Sequence, residues 1–441
     1  MKVPILSPAQ YGSSWGTESV AGTTTFLTMS YILFVQPVIL AQAGMDHGAV
    51  FTATALSSAL ATLLMGVLAR YPIALAPAMG HNFFFTFTVV LGMQIAWQKA
   101  LGAVCISGML FLILSIWGVR ERIVHAVPDS LKYGIAVGIG LLITLIGMEW
   151  SGIVVDTPGT LVGLGNLGSP VVLLSLFGLT LMAALIALRI RGALLIGILS
   201  TTVLGALTGF ISYSGLFSLP PSLAPTFLAL DIPGAFSLGL LDVIFIFFFL
   251  DLFDTIGTLI GVAESAGFME NGKLPRARNA LLADALGTVG GALLGTSTVT
   301  SYIESTTGVA EGGRTGTANL ITSGLFLVSL FAYPLIAMVG QGVSLSPDVT
   351  LYPSIAPVLI IVGLLMFKLT RKIPWDDPVE AIPSYLAMIV MPLTFSITEG
   401  IAFGFISYAF LSLISGRIRS TSWIVYAVAV LFLIRYAYLH V

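Results

Sequence analysis

Charge is scarce in this chain. Lys, Arg, Asp and Glu make up 9% of its 441 residues, and 57% are hydrophobic. A soluble domain carries about 25% charged residues, so a soluble fold is excluded. The net charge of −2 offers no basic surface and excludes a nucleic-acid partner. Cysteine is nearly absent: Cys105 alone excludes an internal disulfide, and its apolar surroundings make it a packing residue. With four histidines and one cysteine, no Cys/His cluster has metal-site spacing, and no cofactor is expected. The first sixteen residues lack the apolar core of a cleavable signal, so the first apolar span is expected to direct insertion.

Long apolar runs are what the chain has instead. Runs near 20 residues recur along its whole length, as bilayer-spanning helices require. They predict an all-α polytopic membrane protein with spans at 17–43, 49–69, 73–94, 97–118, 130–149, 170–188, 193–210, 236–266, 278–295, 297–313, 317–340, 354–368, 379–398 and 400–416. Cytoplasmic loops carry the Lys and Arg of a membrane protein. With residues 1–16 inside, the inner loops collect Lys2, Arg70, Arg120, Arg122, Lys132, Arg189, Arg191, Lys273, Arg276, Arg278, Arg314, Lys368, Arg371, Lys372, Arg417 and Arg419. Lys99 and Arg435 are the exceptions. The apolar stretch 422–438, within a C-terminal segment 418–441, is either a fifteenth span or an interfacial helix. Trp15, Trp97 and Trp375 stand near span ends, as interfacial anchors do.

The Pro-rich segment 211–235, with Pro220, Pro221, Pro225 and Pro233, reads as an extracellular linker between two seven-span units, 17–210 and 236–417. A unit with an odd number of spans, repeated in tandem, inserts upside down the second time, the plan of many secondary transporters. One correspondence can be checked. The third span opens Ala74-Leu75-Ala76-Pro77-Ala78-Met79-Gly80-His81-Asn82, and the tenth opens with Ser297-Thr298-Val299-Thr300-Ser301-Tyr302-Ile303-Glu304. Pro77 breaks a helix, and the Thr/Ser/Val alternation suits a short extended segment. Matched interruptions in two halves point to a transport site.

The candidate site residues are polar groups at membrane depth, where they are costly and usually functional. Asp251 and Asp254 stand at i and i+3 in the eighth span, followed by Thr255 and Thr258, with Gly257 and Gly261 leaving room for close approach. Glu304 is expected at the start of a half-helix, where amide donors gather. Asn82 is its counterpart in the first half, Gly80 permits close backbone approach, and His81, Tyr302 and Ile303 adjoin the two. Phe83, Phe84 and Phe85 read first as lipid-facing or core, with one of them available to cover a planar ligand. Thr23, Thr24, Thr25 and Thr28 give a weaker signal for the same cavity. Glu18, Glu264, Glu311 and Glu399, near span ends, are expected to be solvated or to pair with loops. Carboxylates, amides and hydroxyls without a nearby Lys or Arg suit a neutral ligand rich in N–H donors. The same carboxylates can take up protons.

These blocks are recognisable. Phe26 to Val35, Leu75-Ala76-Pro77, Asp251 to Thr258, and Gly295 to Gly308 with Gly312 to Gly316 resemble the AzgA-like purine permeases, a branch of the nucleobase:cation symporters, and the likeness runs to about residue 420. The resemblance implies two inverted seven-helix repeats, with a core domain from spans 1–4 and 8–11 and a gate domain from spans 5–7 and 12–14. It implies proton-coupled uptake of hypoxanthine, guanine or adenine across the cell's inner membrane by an elevator-like movement. Asp254 before Gly257 matches the base-holding acid, Asp251 a second family carboxylate, Glu304 the substrate-binding glutamate, and Gly80 and Asn82 the polar pair of the third span. Glu304, Asp254 and Asp251 would couple the proton gradient. Ala78, His81, Phe83 and Gln36 depart from the family pattern. Besides the purine base, the partner expected is membrane lipid, with a homodimer left open.

Two rivals remain at this point. One keeps the fold and carries uracil, xanthine or an anion; Asp251, Asp254 and Glu304 disfavour the anion. The other is an intramembrane aspartyl protease, but such pairs come from separate helices, and no Gly-x-Gly-Asp block occurs.

Overall fold

The computed structural model describes residues 8–117, 127–157, 159–236, 241–270, 274–346 and 349–438. Lys2, Arg120, Arg122 and Lys273 lie outside the described residues. Helices dominate. In order they are α1 (Trp15–Met29), α2 (Ile32–Gln42), α3 (His47–Leu64), β1 (Leu75–Pro77), α4 (Met79–Phe83), α5 (Trp97–Trp117), α6 (Asp129–Trp150), β2 (Val154–Thr157), β3 (Leu161–Leu164), α7 (Pro170–Ala187) and α8 (Ala193–Leu207). After the linker come α9 (Ile232–Ala235), α10 (Leu241–Ser265), α11 (Ala277–Leu294), β4 (Val299–Ser301), α12 (Ser305–Ala310), α13 (Thr317–Ser329), α14 (Tyr333–Val339), β5 (Val343–Ser346), β6 (Val349–Leu351), α15 (Ala356–Phe367), α16 (Pro378–Thr394), α17 (Ile397–Ile414) and α18 (Trp423–Tyr438). Wider π-helical turns extend α3 over Met65–Ala69 and α4 over Phe84–Gly92. Among the described residues, eight helices are long and apolar enough to cross a membrane.

The helix ends follow from local chemistry. Ser14 caps α1 by accepting from Thr17 N, and Asp46 caps α3 by accepting from Ala49 N. Each satisfies an amide that the helix itself leaves unpaired. The chain pauses at Ser30–Tyr31 between α1 and α2, and Pro37 sits inside α2.

Packing sorts the helices into two groups. In the first, α3 packs on α2, α11 and α13, α1 on α12 and α13, and α5 on α10 and α11. In the second, α6 packs on α15, α16 and α17, α7 on α8 and α15, and α17 on α18. Glycine allows two of the closest approaches. A Cβ on Gly316 would stand 2.1 Å from the Gly66 carbonyl oxygen, and one on Gly363 would stand 2.4 Å from that of Gly140. The linker is not loose: Leu228 N bonds Leu293 O, Thr226 Oγ1 bonds Leu294 O, and Asp231 N bonds Gln98 O.

Two short strands from distant parts of the chain meet inside the first group. β1 pairs antiparallel with β4, Leu75 opposite Ser301, Ala76 opposite Thr300 and Pro77 opposite Val299. Ala78 N to Thr298 O (2.9 Å) and Tyr302 N to Ala74 O (3.0 Å) extend the ladder at both ends. The outer edges are held by two threonines. Thr62 Oγ1 accepts from Leu75 N and donates to Leu75 O, both at 2.9 Å. Thr288 Oγ1 accepts from Val299 N at 3.2 Å and donates to Val299 O at 2.9 Å. Each hydroxyl thus closes both polar groups of one buried strand residue, Leu75 and Val299.

Candidate functional site

The β1–β4 pair sends its two chain ends into α4 and α12, and the polar side chains gather there. Glu304 is the residue before α12 and is only partly buried. The Tyr31 hydroxyl, from the pause between α1 and α2, donates to its Oε1 at 2.8 Å. Asp254, on α10, is 36% exposed at its side chain, high for a residue inside a helix bundle. Its Oδ2 accepts a long bond from Thr300 Oγ1 (3.4 Å) and lies 3.8 Å from His81 Nδ1. Asp254 and Glu304 are near enough for their charges to interact.

His81 is 2% exposed, and neither ring nitrogen has a hydrogen-bond partner among the described residues. The imidazole is therefore not tied to a carbonyl of a neighbouring helix. Asn82, fully buried, accepts from Ser297 Oγ through Oδ1, while its amide Nδ2 has no partner among the described residues. Gln36 does the reverse: Nε2 donates to Thr296 at 2.8 Å and Oε1 is left over. Buried polar groups are normally paired, so such atoms mark places where a ligand or water completes the arrangement.

Around this cluster the helix face is open. A Cβ at Gly257 would meet nothing within 4 Å, and Ile303 is 42% exposed, its Cδ1 3.3 Å from a Cβ placed on Gly261. Thr258 is turned away, bonding Ser301 at 2.6 Å and the Asp254 carbonyl at 2.7 Å. Tyr302 is buried, with its hydroxyl on the Pro77 carbonyl at 2.5 Å. Thr28 bonds Thr307, and Thr25 packs against Gly308, so these two threonines join α1 to α12.

Several expected residues stand elsewhere. Asp251 is fully buried, with Thr255 Oγ1 3.2 Å from its Oδ1; that hydroxyl is also 3.0 Å from both oxygens of Asp284 on α11. Asp251 thus sits with Thr255 and Asp284, while Asp254, one turn further along the same helix face, stands beside Thr300 and His81. The close approach at Gly80 is to Ile139 of α6, whose Cγ2 would stand 2.9 Å from a Cβ there. Phe83, Phe84 and Phe85 are fully buried and not lipid-facing; Phe83 stacks on Phe87 and Phe84 meets Phe247 edge-on. Glu18 and Glu311 do take the expected loop-pairing role: Glu18, fully buried, accepts from Arg314 N, and Glu311 pairs with Arg191 at 2.6 Å. Asp284, Tyr31 and Thr300 were missed. Asp284 carried a signal, a carboxylate inside an apolar run. A cavity of about 930 Å³ beside Tyr133, Arg371, Lys372 and Glu380 contains none of these site residues.

The permease family's sequence profile matches residues 16–403. The chain belongs to the permease family. It is 46% identical over 442 residues to the guanine/hypoxanthine permease PbuG of Bacillus subtilis, covering 98% of each chain. It is 43% identical over 431 residues to the adenine permease AdeP of Escherichia coli, covering 98% of this chain and 94% of the relative. The solved transmembrane domain of the cyanobacterial bicarbonate transporter BicA superposes with a TM-score of 0.65 at 15% identity, over 87% of this chain and 97% of that one. This permease is thus an integral membrane protein with a transporter fold, not an enzyme.

Proposed function

We propose that this permease imports purine nucleobases (hypoxanthine, guanine or adenine) across the cell's inner membrane together with protons. A purine is flat, neutral and rich in N–H donors and ring-nitrogen acceptors. The observation that carries the reading is the convergence of Asp254, His81 and Glu304, in which two carboxylates accept while His81, and Asn82 next to it in the chain, keep unused nitrogens. Carboxylates facing a partly open pocket also bind protons, so base and proton entry can be linked at one site. The names of the relatives support the same substrate class. No Lys or Arg is bonded to these residues among the described ones, which disfavours an anion.

In this reading the chain has fourteen spans in two inverted repeats, with residues 1–16 in the cytoplasm. β1 and β4 interrupt the third and tenth spans near mid-membrane. The first helix group is the core that carries the base, the second is the gate, and the core moves against the gate as an elevator. The matched roles of Thr62 and Thr288 support the repeat.

The test is uptake of labelled hypoxanthine by proteoliposomes holding the purified permease, with and without a proton gradient. Hypoxanthine, guanine and adenine should compete; uracil, xanthine and sulfate should compete poorly. Uptake insensitive to the gradient would remove the proton, and displacement by sulfate alone would replace the substrate class.

A further inference from the structure

Arg435 broke the charge pattern of the sequence, and the structure gives the reason. It stands near the end of α18, with its side chain 12% exposed. Its Nη1 donates to Glu399 Oε1 at 2.7 Å, and its Nε donates to Asp242 Oδ2 at 3.2 Å. The Tyr436 hydroxyl donates to the other Glu399 oxygen. Glu399 is the third residue of α17, and Asp242 the second of α10.

The three elements do not belong together in packing. α18 lies on α17, with Val425, Val428, Ala429 and Phe432 buried along it. α10 belongs to the other helix group. The guanidinium therefore crosses from the second group to the first. Its two arms are unequal. The arm to Glu399 is short and reinforced by Tyr436; the arm to Asp242 is one longer bond. An unequal pair of this kind parts on the weaker side, leaving Arg435 on α17. The nearby contact of Phe249 on α10 with Phe405 on α17 is edge-on between apolar rings (centroids 6.3 Å), which resists sliding less than a directed bond does.

We propose that Arg435 is a releasable clasp between the two helix groups, with Asp242 as its catch, and that it sets how long the permease stays in the state observed here. Arg435 is then a positioning residue for transport. The inference rests on the reading that the two groups move against each other, and not on the identity of the cargo.

The catch can be removed alone. Asp242→Asn leaves the Arg435–Glu399–Tyr436 bonds in place, so α18 stays docked. The reporter is a cysteine at Gly257, where a side chain has space, in a Cys105→Ser background. Its reaction with an impermeant maleimide is timed in intact cells. Asp242→Asn should change the labelling rate roughly tenfold, the scale of one charge-assisted bond lost from a single end state. Arg435→Gln should shift it the same way, the double variant no further, and Arg435→Lys should restore part of the parent rate. Parent-like labelling of folded Asp242→Asn protein would overturn the proposal even if Arg435→Gln fails to fold. So would fully additive effects in the double variant. Absent hypoxanthine uptake by the parent would count against the purine reading and leave the labelling comparison standing.

Discussion

Thr62 holds Leu75 through the same two bonds by which Thr288 holds Val299, although 226 residues separate the two threonines in the sequence. Thr62 lies on α3, the helix before β1, and Thr288 lies on α11, its counterpart before β4. Valine at either position keeps the shape and leaves one amide and one carbonyl unpaired. Each orphaned group costs about 1–3 kcal/mol, so Thr62→Val and Thr288→Val should each lower the melting temperature in detergent. Serine should rescue both. A valine variant as stable as the parent would show that these bonds are not needed.

Glu304→Gln and Asp254→Asn should each abolish or severely reduce uptake. A charge-assisted bond to a ligand is worth about 1.5–3 kcal/mol, roughly ten- to a hundredfold in affinity, and loss of proton coupling adds to this. Wild-type uptake by both variants would refute the assignment.

His81→Leu should keep proton-driven uptake and change the ranking of hypoxanthine, guanine and adenine. Both imidazole nitrogens are unused beside Asp254, so the substitution removes hydrogen-bonding capacity from the pocket without removing a carboxylate. Inhibition constants for the three bases in both proteins give the answer. An unchanged ranking assigns His81 to packing, and lost transport at normal expression makes it essential.

Asp251→Asn should reduce uptake less than Asp254→Asn. Asp284→Ala should act on folding instead, because it strips a fully buried partner from Thr255. Yield of monodisperse protein separates the effects. Asp284→Ala protein that is stable yet inactive would move Asp284 into the transport machinery.

The hydrogen bond from the exposed Arg417 guanidinium holds the Asp377 carboxyl below the usual carboxylate range, with the Val379 amide adding to it. A depressed pKa stabilises above the unfolded value, about 3.9, and the benefit fades as pH falls through the folded value. The stability difference between parent and Asp377→Asn should thus be small and constant near neutrality, start to shrink below about pH 4, and be gone only below the depressed folded value. Melting curves across that range check it; a difference that grows in acid would contradict the sign.

The legible parts of the site were those with a local cost. Pro77 and the β-branched Val299 and Thr300 announce extended backbone, and Asp254 and Glu304 stand out because charge is rare in apolar runs. Asp284 obeys the same rule, as a carboxylate inside the apolar run of α11. Tyr31 was not legible as a partner, because it meets Glu304 across 273 residues and a lone hydroxyl is not costly. Gly80 announced room, but no sequence feature names Ile139 as the neighbour that uses it. The partners of Arg435 were hidden in the same way, since Asp242 and Glu399 come from two other helices.

On the outer edges of the strand pair, threonines close Leu75 and Val299, and the Tyr302 hydroxyl closes the Pro77 carbonyl. If the base binds here, as proposed, it meets side-chain tips mounted on a frame whose edges are closed at Leu75, Pro77 and Val299. His81 is such a tip, and exchanging it leaves the bonds of Thr62 and Thr288 to the strands in place. Related transporters of this architecture can thus diverge in diet while keeping one scaffold.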